Sequence, residues 1–180
     1  VLGEKAAEDI TSVALDTSSR SSVALTRILL EKRFGAVPTT IDHAPDIDQM
    51  LGVADAAVLI GDLALELDRD RYRVLDLGAA WTEWTGLPFV YACWTGRPGA
   101  LGESARELLV EARTLGMQHV DTIASAYAAG RSFPPEFYAS YLTDSIHFDF
   151  GDSELEGLNQ FLAYSAELDL ISSAPQISFF

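Results

Sequence analysis

The chain has 180 residues, 48% of them hydrophobic, with 27 acidic against 12 basic side chains and a formal net charge of −15. That is enough for a real core in one or two domains, and the apolar residues are too dispersed for the roughly 20-residue run that crosses a bilayer. The acidic excess argues against nucleic acid and anionic membranes as partners, because phosphate binding needs a basic surface; an anionic small molecule stays possible where helix N-termini and arginines compensate locally.

The chain opens on Val1 rather than Met, which reads as a fragment or a processed form, and residues 1–10 contain Glu4, Glu8 and Asp9 and nothing like a signal peptide. Residues 12–15 (SVAL) form a short apolar strand ending at Asp16. Residues 21–34 follow as a helix whose Val23, Leu25, Ile28, Leu29 and Phe34 make a broad buried stripe, stopped at Gly35. Val37, Thr39 and Ile41 alternate as a strand would, and a short helix over residues 46–51 leads into AAVLIGD. That continuous apolar run is expected of a parallel strand buried on both faces. YRVLDLG as a strand, AAWTEWTG as a helix and PFVYACW as a strand complete the alternation, which predicts an α/β fold around a largely parallel sheet.

Beyond Gly99 the pattern is helical only. ESARELLVEARTLG is a helix stopped at Gly116, a second covers residues 120–129, and Pro134–Pro135 opens a third. A last helix starts at SELE, with Ser153 and Glu156 as its capping box, and runs to Leu168. The Pro-Gly element at residues 97–99 marks the lobe boundary.

Ligands of such sheets bind beyond the carboxyl ends of the strands, so the turns DTSSRSS and GDLA stand out. Thr17, Ser18, Ser19, Arg20, Ser21 and Ser22 place four serines, a threonine and an arginine in six positions between a strand end and a helix start. Capping alone explains one serine; the rest suit an anion, with hydroxyls and free N–H groups pointing into one space and Arg20 as a bidentate clamp. Gly61 allows the backbone to approach a ligand. Asp62 reads first as the cap of the next turn and second as a base. His43, His119 and His147 share no metal-ligand spacing; a surface loop is the default for His43, although it follows a strand and can reach a cleft. Tyr91 and Trp94 read as core, or as a cleft wall. The lone cysteine, Cys93, excludes an internal disulfide, and its apolar neighbours suggest a buried, inert thiol; this usage fits a cytoplasmic protein. No phosphate loop or nucleophile elbow is present, which disfavours nucleotide hydrolysis and α/β-hydrolase chemistry.

DTSSRSSVALTRILLEKRFG, ADAAVLIGDLAL, DLGAAWTEWTGLPFVYACWTGR and YLTDSIHFDFGDSELEGLNQF, in this order, resemble the chorismate dehydratases of menaquinone biosynthesis by the futalosine route. The resemblance implies a type II periplasmic-binding-protein-like fold of two lobes with a cleft. Residues 10–92 would be a largely complete second lobe carrying the substrate-carboxylate loop, and residues 93–180 the crossover and helical remainder of a truncated first lobe. It implies conversion of chorismate, a small dicarboxylate, to 3-[(1-carboxyvinyl)oxy]benzoate and water, with no metal or organic cofactor. Residues 17–22 would hold a substrate carboxylate, with Gly61 and Asp62 beside it; the catalytic base is unassigned, as family members are longer at the N-terminus. The sibling 1,4-dihydroxy-6-naphthoate synthase carries a catalytic histidine where Gly61 stands here, which favours the dehydratase. A solute-binding module of the same fold and the ligand-sensing domain of a transcription regulator are the rival readings.

Overall fold

A computed structural model describes residues 2–97 and 99–179. Its strands are β1 (Leu2–Gly3), β2 (Ser12–Asp16), β3 (Thr39–His43), β4 (Ala56–Val58) and β5 (Arg73–Val74). The helices are α1 (Arg20–Ile28), α2 (Ile47–Val53), α3 (Gly61–Leu65), α4 (Leu77–Thr85), α5 (Glu103–Gln118), α6 (Val120–Ala128), α7 (Pro135–Ser140) and α8 (Asp152–Glu167). The chain forms two compact units: residues up to Ala92 together with Gly151–Ile177, and Cys93–Phe150 with Ser178 and Phe179.

The first unit is built on one sheet of order β3-β2-β4-β1-β5. β2 runs parallel to β3, with Ser12 opposite Thr39 and Asp16 opposite His43, and parallel to β4, with Leu15 opposite Val58. The two-residue β1 is antiparallel to both β4 and β5, so the fold is mixed α/β around a small parallel sheet. Alternation along β2 decides which helix covers which face. Val13 and Leu15 pack with Val23, Leu30 and Val58, on the α1 side, whereas Ala14 and Ala57 pack against Met50 of α2. β4 is buried along its whole length, as its uninterrupted apolar run requires.

On its other flank α1 buries Leu25, Ile28 and Leu29 against Ala80 and Trp81 of α4, with Phe161 and Tyr164 of α8 beside them. Trp81 is fully enclosed, its ring edge-on to Trp84, Phe89, Phe161 and Tyr164 at 5.8–6.4 Å between centroids. The helical path of α1 continues as a wider π-turn through Leu29–Arg33 and stops at Gly35, whose φ of 70° suits glycine. In the second unit α6 and α7 pair through the edge-on rings of Tyr127 and Tyr138, 5.2 Å apart, while α5 buries no residue fully. No helix is long and apolar enough to cross a membrane, among the described residues.

Four local expectations are corrected. PFVYACW forms no strand: Phe89 packs edge-on to Phe161 at 5.2 Å and Tyr91 lies over Gly78, so side-chain anchoring on helices replaces sheet pairing. Cys93 is exposed rather than buried, because the chain leaves the first unit after Ala92. Gly116 does not end its helix, which runs on to Gln118. The last helix begins earlier than SELE suggests. The Glu154 carboxylate accepts the Gly151 N–H at 2.9 Å and the Ser153 hydroxyl at 2.9 Å, so Gly151 rather than Ser153 is the N-cap.

Candidate functional site

From β2 the chain goes to β3 on one side and then returns to β4 on the other, so the order reverses between β2 and β4. At such a switch point the loops leaving the two strands part to opposite faces and open a crevice at the carboxyl edge. The loops that flank it here are residues 17–19, after β2, and residues 59–60, after β4. The first is part of the DTSSRSS turn singled out in the sequence; the second leads into GDLA, which opens α3 instead of forming a turn.

Asp16, only 3% exposed, ends β2 and sets the first loop: its Oδ1 accepts the Ser18 N–H at 3.0 Å. Ser19 is the N-cap of α1, with extended backbone and Oγ accepting the Ser22 N–H at 3.2 Å. The same Oγ donates to Ser22 Oγ at 3.0 Å and lies 3.3 Å from Ser21 Oγ. Three half-buried hydroxyls are thus gathered around the first turn of a nine-residue helix. Capping by Ser19 uses the N–H of Ser22. The N–H groups of Arg20 and Ser21 remain at the positive end of the helix, where an anion is stabilised. Thr17, Ser18 and Arg20 are exposed around them. The six residues 17–22 therefore share one place, with Ser19 structural and Ser21 and Ser22 presenting hydroxyls.

Gly61 has a φ of 63°, which only glycine adopts without strain, and it opens α3. Asp62 is not the N-cap; that position is Ile60, and Asp62 lies within the helix's first turn. A carboxylate so placed helps the helix start through its dipole.

Beside the loop, an open crevice of about 500 Å³ lies between the ends of β2 and β3, lined by Asp16, Thr17, Ser18, Asp42, His43, Ala44 and Pro45. For His43 the sequence allows a surface loop, the default, or a strand-end position that reaches a cleft. The parallel register sets it opposite Asp16, and its half-buried ring places Nδ1 2.6 Å from the Ala44 carbonyl. With a carbonyl as partner Nδ1 is the donor, which leaves Nε2 as the acceptor of the neutral ring. The signal for this was its position at a strand end, but which strand lies next to β2 is not written locally. Among the described residues no group of three or more His, Cys, Asp or Glu is arranged to hold a metal ion.

At the opposite, amino edge of the sheet a polar knot holds the strands in register. Asp55 accepts the Thr11 N–H and hydroxyl at 2.9 and 2.6 Å and pairs with Lys5 at 2.7 Å, while Ser12 Oγ accepts the Asp55 N–H at 3.0 Å. The hydrogen bonds from Lys5 and Thr11 hold the Asp55 carboxyl far below the usual carboxylate range.

Among curated proteins, the chorismate dehydratase of Thermus thermophilus is 32% identical over 152 residues, covering 72% of this chain. The chain spans 54% of that relative's length. The family model described as menaquinone biosynthesis matches residues 1–167, with both loops of the switch point inside the match, and the chain belongs to that family.

Proposed function

We propose that the protein is a chorismate dehydratase, a carbon–oxygen hydro-lyase, and that this chain supplies its carboxylate-holding lobe. The observation that carries this reading is the hydroxyl-lined N-terminus of α1 at the switch point of the sheet, an anion site built into a strongly acidic chain. The named relative and the family support the reaction. A cleft between two lobes of the periplasmic-binding-protein type belongs to the same proposal. It is supported by β1, an antiparallel strand set between β4 and β5, of the kind left in a sheet by a chain passing between lobes.

Chorismate reaches its aromatic product by losing a ring hydroxyl and the proton from the neighbouring ring carbon. The C–H electron pair becomes a ring double bond as the C–O bond breaks, and proton and hydroxide leave together as water. Aromatisation drives the step, so the protein must hold the carboxylates, exclude bulk water and place a proton acceptor. In this reading Ser21 and Ser22, the N–H groups at the start of α1 and Arg20 hold one carboxylate; Thr17 and Ser18 shape the rim and Ser19 fixes the turn. Gly61 and Asp62 border the ligand from the β4 side. The acceptor stays unassigned. A cytoplasmic setting suits an exposed thiol at Cys93, which a reducing compartment preserves. The test is direct: the full protein is incubated with chorismate and product is followed by mass spectrometry. Formation of 3-[(1-carboxyvinyl)oxy]benzoate is expected, and unchanged chorismate would refute the reading.

A further inference from the structure

The side of α1 carries a feature that the anion site at its tip does not use. At 100° per residue Arg20, Val23, Ala24 and Arg27 lie along one flank of the helix, and this flank lines a groove of about 300 Å³. Thr17 stands at one end and Leu170, just beyond α8, forms its far wall. The groove thus joins the residue 17–22 loop at Thr17 and Arg20. Its floor is apolar and low, because Ala24 sits between the two arginines. Arg20 and Arg27 line it from α1, and Asp169 lines it beside Leu170.

The cations are free to act on a ligand. Lys5, Lys32, Arg33, Arg106 and Arg113 are each ion-paired within the chain. Neither Arg20 nor Arg27 has a carboxylate at pairing distance among the described residues, although Asp169 shares the groove. In a chain of net charge −15 a dianion meets repulsion at long range, so a local pair of unpaired guanidiniums is where it can be held. A dipole role for Arg27 is the plainer account. It is weakened by the continuation of the helical path to Arg33, which puts Lys32 and Arg33 at the true end. The two arginines are seven positions apart, about 10 Å along the axis, a gap that two extended side chains close from both ends.

We infer that this groove is a second carboxylate subsite, with Arg27 as its specific cation and Arg20 shared with the loop, and that it selects cyclic dicarboxylates over monocarboxylates. The inference rests on the proposed dehydratase reading and names how its substrate class is chosen. The hydroxyls at the tip of α1 take one carboxylate, the apolar floor takes the face of the ring, and Arg27 takes the other carboxylate.

The experiment separates this from the reaction itself. Isophthalate, a rigid benzene-1,3-dicarboxylate, and benzoate are titrated calorimetrically into the full protein, wild type, Arg27→Gln and Arg27→Lys. Wild type is expected to prefer isophthalate by about tenfold or more, in line with one charge-assisted bidentate contact. Arg27→Gln should bring the two ligands to near-equal affinity with benzoate binding unchanged, and Arg27→Lys should restore part of the preference. No preference in wild type, or a preference that survives Arg27→Gln, overturns the subsite. Arg27 is exposed, and an unchanged melting temperature confirms that the variant folds. Chorismate turnover by wild type is read separately. Its absence beside a collapsed preference refutes the dehydratase and leaves the subsite standing; turnover beside a surviving preference does the reverse.

Discussion

The serines at the start of α1 divide into two kinds, and the division can be measured. Ser19 Oγ caps the helix by accepting the Ser22 N–H, so Ser19→Ala removes a cap and should cost roughly 1 kcal/mol of folding stability. Ser21 and Ser22 use their hydroxyls only on Ser19 and on each other's surroundings, and the helix does not need them. Replacing both by alanine should change stability by less than about 0.5 kcal/mol, because these half-buried hydroxyls meet only the Ser19 hydroxyl, which keeps the Ser22 N–H as its partner. Their loss should instead appear in binding. A hydrogen bond to a charged group contributes roughly 1.5–3 kcal/mol, so two to one carboxylate come to at least about 3 kcal/mol, or roughly a hundredfold in the Michaelis constant for chorismate. Because Ser19 links the two hydroxyls, their effects should be less than additive when taken singly. Urea denaturation and steady-state kinetics on the same three proteins decide the matter. A double variant that loses as much stability as Ser19→Ala and keeps wild-type kinetics would refute the assignment.

Three further predictions concern the frame. Asp55→Asn should lower the urea midpoint at pH 7, because the folded state holds this carboxylate charged far below its usual range. That stabilisation is complete above the unfolded-state value of about 3.9 and is lost as pH falls toward the folded one, so the gap between variant and wild type should narrow below about pH 4; a gap that widens there contradicts the knot at the amino edge. In Gly157→Ala the new Cβ would come within 2.2 Å of the Pro88 carbonyl oxygen, so the expected change is a destabilisation of about 1–3 kcal/mol, seen as a lower melting temperature rather than the usual helix gain from alanine. Trp81→Ala should cost roughly 3–5 kcal/mol by opening a cavity among four rings. Trp81→Phe should cost clearly less, since the buried Nε1 has no hydrogen-bond partner to lose among the described residues and a ring still fills most of the site; equal losses in the two variants would contradict this.

By itself the sequence determined the parts governed by neighbours along the chain. The run AAVLIGD announced a buried strand, of which Ala56–Val58 forms one, Gly35 announced a helix stop, and DTSSRSS a polar turn between strand and helix, because burial on both faces, left-handed backbone and capping are short-range demands. It also carried the family resemblance on which the reaction rests. Tertiary structure decided everything that depends on who lies beside whom. Only the strand order β3-β2-β4 makes residues 17–22 and Gly61 two sides of one switch point, and only the β2–β3 register brings His43 opposite Asp16. The extended path of PFVYACW shows the limit from the other side. Its alternating apolar residues satisfy a strand's local pattern, yet among the described residues no strand pairs with them; the rings of α4 and α8 hold Phe89 instead. The same holds for the serines. Composition suggested an anion loop for the whole stretch, but only the distances among Ser19, Ser21 and Ser22 separate the hydroxyl that caps the helix from the two that do not.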